Sequence, residues 1–169
     1  MSSEPVFFWN GPLSNWYQSN FTDENGIKYC NNEQYMMKAK ADLFQDKENG
    51  DHIMKNTNPK QIKWYGRQVK GFDFKIWEKH AKIIVTHGCY LKFSQNPRLK
   101  SYILSTGNRI LVEASPYDKL WGIGLREDVA KKTPMEKWPG ENWLGECLMK
   151  ARNLIKLDEE KLKKAKLNP

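Results

Sequence analysis

The chain has 169 residues, 39% of them hydrophobic and 12% aromatic, with 28 Lys and Arg against 20 Asp and Glu for a formal net charge of +8. Seven Trp, seven Tyr and seven Phe are too much apolar surface to leave in water, which excludes a disordered chain, and the length is that of one domain able to close its own core. No run of about 18 apolar residues exists, so a transmembrane helix is excluded; the longest candidate, Ile83 to Tyr90, is interrupted by Thr86, His87 and Gly88.

In chain order, residues 5–9 read as a short strand ended by Gly11-Pro12, and a polar loop holding several aromatics follows from Leu13. Asn25-Gly26 is a turn signal ahead of a second strand at 27–30. Asn31-Asn32 supplies an N-cap for a helix over Glu33 to Phe44, whose apolar residues leave it mostly buried. Glu33, Met37 and Lys40 stand at i, i+4 and i+7 and share one face of that helix. Gly50 is expected to break the pattern. Asn58-Pro59 opens a short helix to about Tyr65, and Asp73 caps a longer one on which Ile76, Trp77, His80, Ile83, Ile84, His87 and Leu91 recur at helical spacing. Asn96-Pro97 starts another helix that closes near Thr106-Gly107. Residues 109–114 form the best strand. The Gly- and Pro-rich stretch 115–142 is mostly loop, a length often used for function, and 144–167 is a terminal helix with a frayed Lys-rich end.

The charge is uneven. Seven basic and three acidic residues fall from Lys150 onward, so half of the net charge lies in the tail. A basic body with a basic tail suits polyanions, but a Lys-rich surface helix produces the same count. Cys30, Cys89 and Cys147 are odd in number and form no CxxC, and the N-terminus lacks a basic region followed by a long apolar one. A cytoplasmic, reducing setting is therefore expected, with no disulfide framework and no membrane partner. His52, His80 and His87 make no metal-binding spacing, and neither a metal nor a cofactor is expected. Gly122-Ile123-Gly124 is a lone GxG outside any strand-to-helix phosphate loop. What remains are carboxylates beside aromatic and amide side chains, notably Glu33, Glu113 and Asp118. Such pairs suit chemistry at a glycosidic carbon, where one group steadies developing oxocarbenium charge and another handles a proton.

Six blocks sharpen this reading: LSNWY at 13–17, NNEQYMMKAKADLF at 31–44, WYGRQVKGFDFKIW at 64–77, KFSQNPRLKSYILSTG at 92–107, LVEASPYDKLWGIGL at 111–125 and WPGENWLGECLMKAR at 138–152. Together and in this order they resemble the NADAR, or YbiA-like, family. The resemblance implies an α+β fold, a single helix-rich domain with a small antiparallel sheet over residues 5–155, followed by a Lys-rich helical extension at 156–169. It implies an N-glycosidase that hydrolyses a ribose C1–N bond. Two substrate classes are known in the family: ADP-ribosylated guanine in nucleic acid, and phosphorylated ribosylaminopyrimidine intermediates of riboflavin synthesis. The expected partner is a nucleotide or ADP-ribose-type substrate, carried by DNA or RNA in the first case. A non-catalytic ADP-ribose or nucleotide-binding module is the alternative from another class.

The resemblance carries over to named positions, each with an ordinary structural alternative. Glu33 would transfer a proton or position water, or it is a first-turn carboxylate favoured by the helix dipole. Lys40 would attack the anomeric carbon as a neutral amine, or it anchors Glu33 or a phosphate. Asp118 would hold ribose hydroxyls or the water, or it is a turn residue. Trp77 would wall the base or ribose site, or it is core. Asn15 would bond the ligand or hold its loop, or it only forms an Asx turn. Arg67 would grip phosphate with its planar fork, or it makes a surface ion pair. Trp121 and Gly122 complete the Asp118 block, Gly122 allowing close backbone approach to a ligand. Asn142 and Gly145 form a loop-to-helix corner, unless Asn142 is only an N-cap. Lys38, on another side of the helix, is expected to be solvated. The stretch 126–137 resembles a variable insert of the family that would set substrate choice.

Overall fold

Asparagine and aspartate side chains start the helices of residues 15–96. The computed structural model describes residues 3–168, in two compact units: residues 15–96, and residues 3–14 with 97–168. In the first unit, Asn31 Oδ1 accepts from the Gln34 amide at 2.8 Å and begins α1 (Asn32–Leu43). Asn58 Oδ1 accepts from Lys60 at 2.9 Å ahead of α3 (Pro59–Arg67), and Asp73 Oδ1 from Lys75 at 2.8 Å ahead of α4 (Phe74–Gln95). Each satisfies an amide that the first helical turn leaves without a partner.

Between α1 and α3 lies a helix the sequence pattern did not suggest, α2 (Lys47–Lys55), which runs straight through Gly50. Two things outweigh the roughly 1 kcal/mol that a mid-helix glycine costs. Asp46 caps strongly: Oδ1 accepts from the Asn49 amide at 3.1 Å, and Oδ2 accepts from Asn49 Nδ2 at 2.7 Å and from the Lys70 amide at 2.8 Å. Gly50 itself is buried and packs closely against Ala41 of α1. On α4 the core face is Trp77, Ala81, Val85, Cys89 and Lys92, not the isoleucine positions of the expected stripe; Ile83 is 72% exposed. A short hairpin of β2 (Phe21–Thr22) and β3 (Lys28–Tyr29) pairs antiparallel, Phe21 opposite Tyr29, and buries both rings with Leu91. Asp23 ties its turn by accepting from the Asn25 and Ile27 amides and the Tyr29 hydroxyl.

In the second unit β1 (Val6–Phe8) pairs with β4 (Leu111–Glu113) in parallel, Val6 opposite Leu111. The sequence pattern indicates both strands; the small antiparallel sheet that the resemblance implies is the β2–β3 hairpin, and this parallel pair stands beside it. A parallel pair needs a long crossover, and here most of the chain separates the two strands. Helix α5 (Pro97–Ser105) and the terminal α7 (Trp143–Leu167) complete the layer over β4. Leu144, Cys147, Leu148, Ala151 and Ile155, at helical spacing on α7, are each 1% exposed or less. From the same helix, Arg152 donates to Thr106 Oγ1 at 2.9 Å and the Arg109 carbonyl at 2.8 Å, and Lys156 donates to the Gly107 carbonyl at 2.8 Å. These cations satisfy carbonyls of the turn that ends α5. Lys100 of α5 pairs with Glu159, and α7 continues unfrayed to Leu167, with Glu159 and Glu160 four residues ahead of Lys163 and Lys164. The 115–142 loop contains one short helix, α6 (Glu127–Ala130), and a 3-10 turn at Met135–Lys137. Among the described residues, no helix is long and apolar enough to cross a membrane.

Candidate active site

Residues 15–96 gather Glu33, Lys40, Arg67 and Trp77. Glu33 opens α1 and is 5% exposed. Its amide donates to the Asn15 carbonyl at 3.0 Å, and Asn15 Oδ1 accepts from Asn32 Nδ2 at 2.9 Å. The Asn15 side chain thus holds its loop against the first turn of α1, one of the readings open to it. Two turns on, the Lys40 amine lies 4.4 Å from the centre of the Phe72 ring and 6.0 Å from that of Trp77. Trp77 is 4% exposed, so core packing and an aromatic wall beside the amine are the same placement.

Burial pushes the Lys40 amine below the usual lysine range; the Glu33 carboxylate pulls it back up, and the Arg67 guanidinium pushes it down again. One helix therefore presents a carboxylate and an amine that feel each other, and the last turn of α3 adds an exposed guanidinium. Lys38 is not merely solvated: it is ion-paired with Asp42, and its stem packs against Gly50.

Two further side chains of residues 15–96 are not among the positions the sequence singled out. Phe72 lies in a turn-rich KGFDF stretch with no periodicity to mark it. Lys92 is 1% exposed, with its amine 4.8 Å from the Phe93 ring centre and 5.7 Å from that of Tyr17. Burial drives its pKa down to about 8, against a small upward pull from Cys89. Its signal was position: a lysine in register with Trp77, Ala81, Val85 and Cys89 on the core face of α4. Cys89 Sγ in turn accepts from Asn32 Nδ2 at 3.3 Å.

The remaining positions belong to residues 3–14 and 97–168 and are held by bonds within that unit. Asp118 Oδ1 accepts from the Leu120 amide at 2.9 Å and the Trp121 amide at 2.8 Å, an aspartate turn. Trp121 meets Trp143 edge-to-face at 5.5 Å. Asn142 sits at the start of α7 with φ 55°, yet its side chain caps nothing. Its Oδ1 accepts from the Glu113 amide at 3.0 Å and its Nδ2 donates to the Leu111 carbonyl at 2.9 Å. The first amides of α7 are satisfied instead by main chain, Trp143 on the Leu120 carbonyl and Leu144 on that of Trp121. A Cβ on Gly145 would stand 2.1 Å from the Leu111 carbonyl oxygen, and one on Gly122 2.9 Å from that of Asp118. Both glycines are required by close approach of the protein's own backbone. Among the described residues no three His, Cys, Asp or Glu side chains gather as a metal site needs.

This architecture matches a solved one. The NMR structure of the E. coli protein YbiA superposes with a TM-score of 0.76 at 23% identity, covering 94% of this chain and 89% of that one. The family model of the NADAR domain matches residues 7–156, and the chain belongs to the NADAR family. A protein of Acanthamoeba polyphaga mimivirus, N-glycosidase R617, is 48% identical over 144 residues, 83% of this chain and 85% of its own. The Caenorhabditis elegans protein irg-1 is 36% identical over 88% of this chain and 71% of its own. The chloroplastic riboflavin biosynthesis protein PYRR of Zea mays is 33% identical over 102 residues, 58% of this chain but 15% of its own length.

Proposed function

We propose that this NADAR-family N-glycosidase removes ADP-ribose from ADP-ribosylated guanine in nucleic acid or from a related ADP-ribose conjugate. The chain is an enzyme of the N-glycosidase class, and the observation that carries the chemistry is the coupling of Glu33 to a depressed Lys40 amine beside Arg67. The Lys40 ammonium first passes a proton to the Glu33 carboxylate, and the neutral amine attacks ribose C1. The C1–N bond breaks, its electron pair leaves with the base nitrogen, and Glu33 delivers the proton that nitrogen takes up. The proton lost by the attacking amine passes to the ring oxygen as the sugar opens to a Schiff base. Water, positioned by Glu33, then adds to C1 and releases the free sugar and Lys40. Arg67 is assigned the phosphate and Trp77 the aromatic wall. Asp118 keeps the role the resemblance gives it, on ribose hydroxyls or water, and Asp118→Asn is the variant that tests it. A polymer substrate is favoured by the net charge of +8.

A second substrate reading is favoured by the PYRR relatives: a phosphorylated ribosylaminopyrimidine, with ribose 5-phosphate as product. Incubation with ADP-ribosylated guanine DNA, and separately with the pyrimidine riboside phosphate, decides between them. Release of ADP-ribose from the first alone is expected; release of ribose 5-phosphate from the second alone overturns the proposal. Borohydride added during turnover should fix an adduct on Lys40. An active enzyme that yields no adduct reduces Lys40 to an electrostatic anchor for Glu33.

A further inference from the structure

Helix α3 carries Lys60, Lys63, Trp64 and Arg67 at i, i+3, i+4 and i+7, a single face, and has no carboxylate anywhere along its nine residues. Trp64 is 54% exposed. The Lys63 amine lies 5.9 Å from the ring centre of Trp16, itself 43% exposed. Two members of this surface adjoin the proposed chemistry within the same unit. Arg67 repels the Lys40 amine, and Trp16 follows Asn15, whose carbonyl takes the Glu33 amide.

We infer that this face of α3, with Trp16, is the track for a single-stranded polynucleotide on either side of the modified base. The inference rests on the nucleic-acid reading of the substrate and adds where the polymer is held. Cations alternating with solvent-facing tryptophans fit a phosphate backbone with unpaired bases: the cations take phosphates and the indoles stack bases without reading sequence. A helix rise of about 1.5 Å per residue puts Lys60 and Arg67 about 10 Å apart, far enough to meet separate phosphates of one strand. A duplex fits poorly, because its bases present no free faces and the glycosidic carbon of a stacked guanine is out of reach of an amine. A membrane-surface helix would set its aromatic residues on the face opposite its cations; here Trp64 lies among them.

The test uses the full chain, with Trp64→Ala and the pair Lys60→Ala/Lys63→Ala, all exposed or half-exposed positions given no part in the chemistry. Unmodified single-stranded DNA is titrated by fluorescence anisotropy over a salt series, with thermal melting as the check on folding. Each variant should bind about tenfold more weakly or worse, and the lysine pair should flatten the log–log salt slope by about 0.7 per lysine lost. Unchanged affinity and slope in folded variants overturn the stripe, as does equal binding of duplex, or binding of anionic lipid vesicles without binding of the oligonucleotide. In parallel, ADP-ribosylated guanine is supplied in an oligonucleotide and as the free mononucleotide. The variants should lose kcat/KM on the first and keep it on the second. Wild-type release from neither removes the substrate reading alone, and the anisotropy arm then decides the stripe by itself.

Discussion

The amine of Lys40 stands 4.4 Å from the centre of the Phe72 ring, on the same helical face as Glu33. The aromatic neighbours strip water from the amine without supplying an acceptor, and this burial is the main reason its pKa falls. Two charges then act in opposite directions: Arg67 disfavours the ammonium and Glu33 favours it. Removing Arg67 (Arg67→Ala) should raise the Lys40 pKa, and neutralising Glu33 (Glu33→Gln) should lower it further. The pH dependence of Lys40 reductive methylation, read by peptide mass spectrometry, measures both shifts. Movement in the same direction in both variants would contradict the arrangement.

Lys40→Arg separates the two roles open to this residue. Arginine keeps the positive charge beside Glu33 but cannot become a neutral nucleophile. If the amine attacks ribose, Lys40→Arg and Lys40→Ala should lose kcat alike, about a hundredfold or more, the scale of a lost catalytic group. An arginine variant that retains most of the activity lost in the alanine variant would make Lys40 an electrostatic support.

Asp46 makes α2 dependent on pH. Its carboxylate accepts from the Asn49 side chain, then from the Lys70 and Asn49 amides, and these bonds hold it down at about 2, against 3.8 when unperturbed. The folded state thus favours the charged form. The stabilisation is complete above pH ~5 and is lost as pH falls through ~2. Urea unfolding of wild type and Asp46→Asn across that window should show the wild-type advantage closing in acid. A difference that stays constant with pH would rule out the carboxylate as its source.

The caps and the helical stripes made much of this architecture readable in advance, and the exceptions have local causes. The Asn31, Asn58 and Asp73 caps started α1, α3 and α4 where the side chains indicated. Helix α2 was hidden because Gly50 signals a break, whereas its stability comes from Asp46 bonds to Lys70 and from packing on Ala41, partners distant in sequence. The parallel pairing of β1 with β4 was equally invisible, since two short strands about a hundred residues apart carry no register information. At the candidate site, spacing alone put Glu33 and Lys40 on one face. That Phe72 covers the amine could not be read, because a loop aromatic has no periodicity. Asn142 suited the N-cap position by residue type; tertiary bonding to β4 claimed its side chain instead.

Lys92 should give the opposite pH signature to Asp46. Its amine has a folded pKa of about 8, against 10.5 in the open chain, because burial disfavours the ammonium. Below pH ~8 it is protonated in both states, and the folded protein bears the full cost. As pH rises toward 10.5 the cost is relieved, by at most about 3 kcal/mol. Lys92→Met keeps the stem and removes the charge. The stability of wild type relative to this variant should climb between pH ~8 and ~10.5, measured by urea unfolding. Tyr29, buried, and Tyr35, half-buried, titrate in both proteins and cancel in the difference. A flat difference would mean that the ammonium is fully compensated in place.

Asn142 joins three segments through one side chain and one unusual backbone. Its amide group bonds the Glu113 amide and the Leu111 carbonyl, its own N–H donates to the Gly122 carbonyl at 3.1 Å, and its φ of 55° lies where asparagine and glycine are tolerated. Asn142→Gly keeps the backbone and deletes both side-chain bonds, leaving two β4 groups to find new partners, at about 2 kcal/mol. Asn142→Ala adds the strain of a β-carbon at positive φ and should cost about 1 kcal/mol more. Asn142→Asp keeps the acceptor for Glu113 but sets a carboxylate oxygen against the Leu111 carbonyl, so it should rescue less than the shape match suggests. Urea unfolding ranks the three. The kinetic readout decides the role: if Asn142 acts only by holding β4 to the start of α7, the folded glycine variant keeps its KM while its stability falls. A raised KM at full folding would assign the side chain to the ligand.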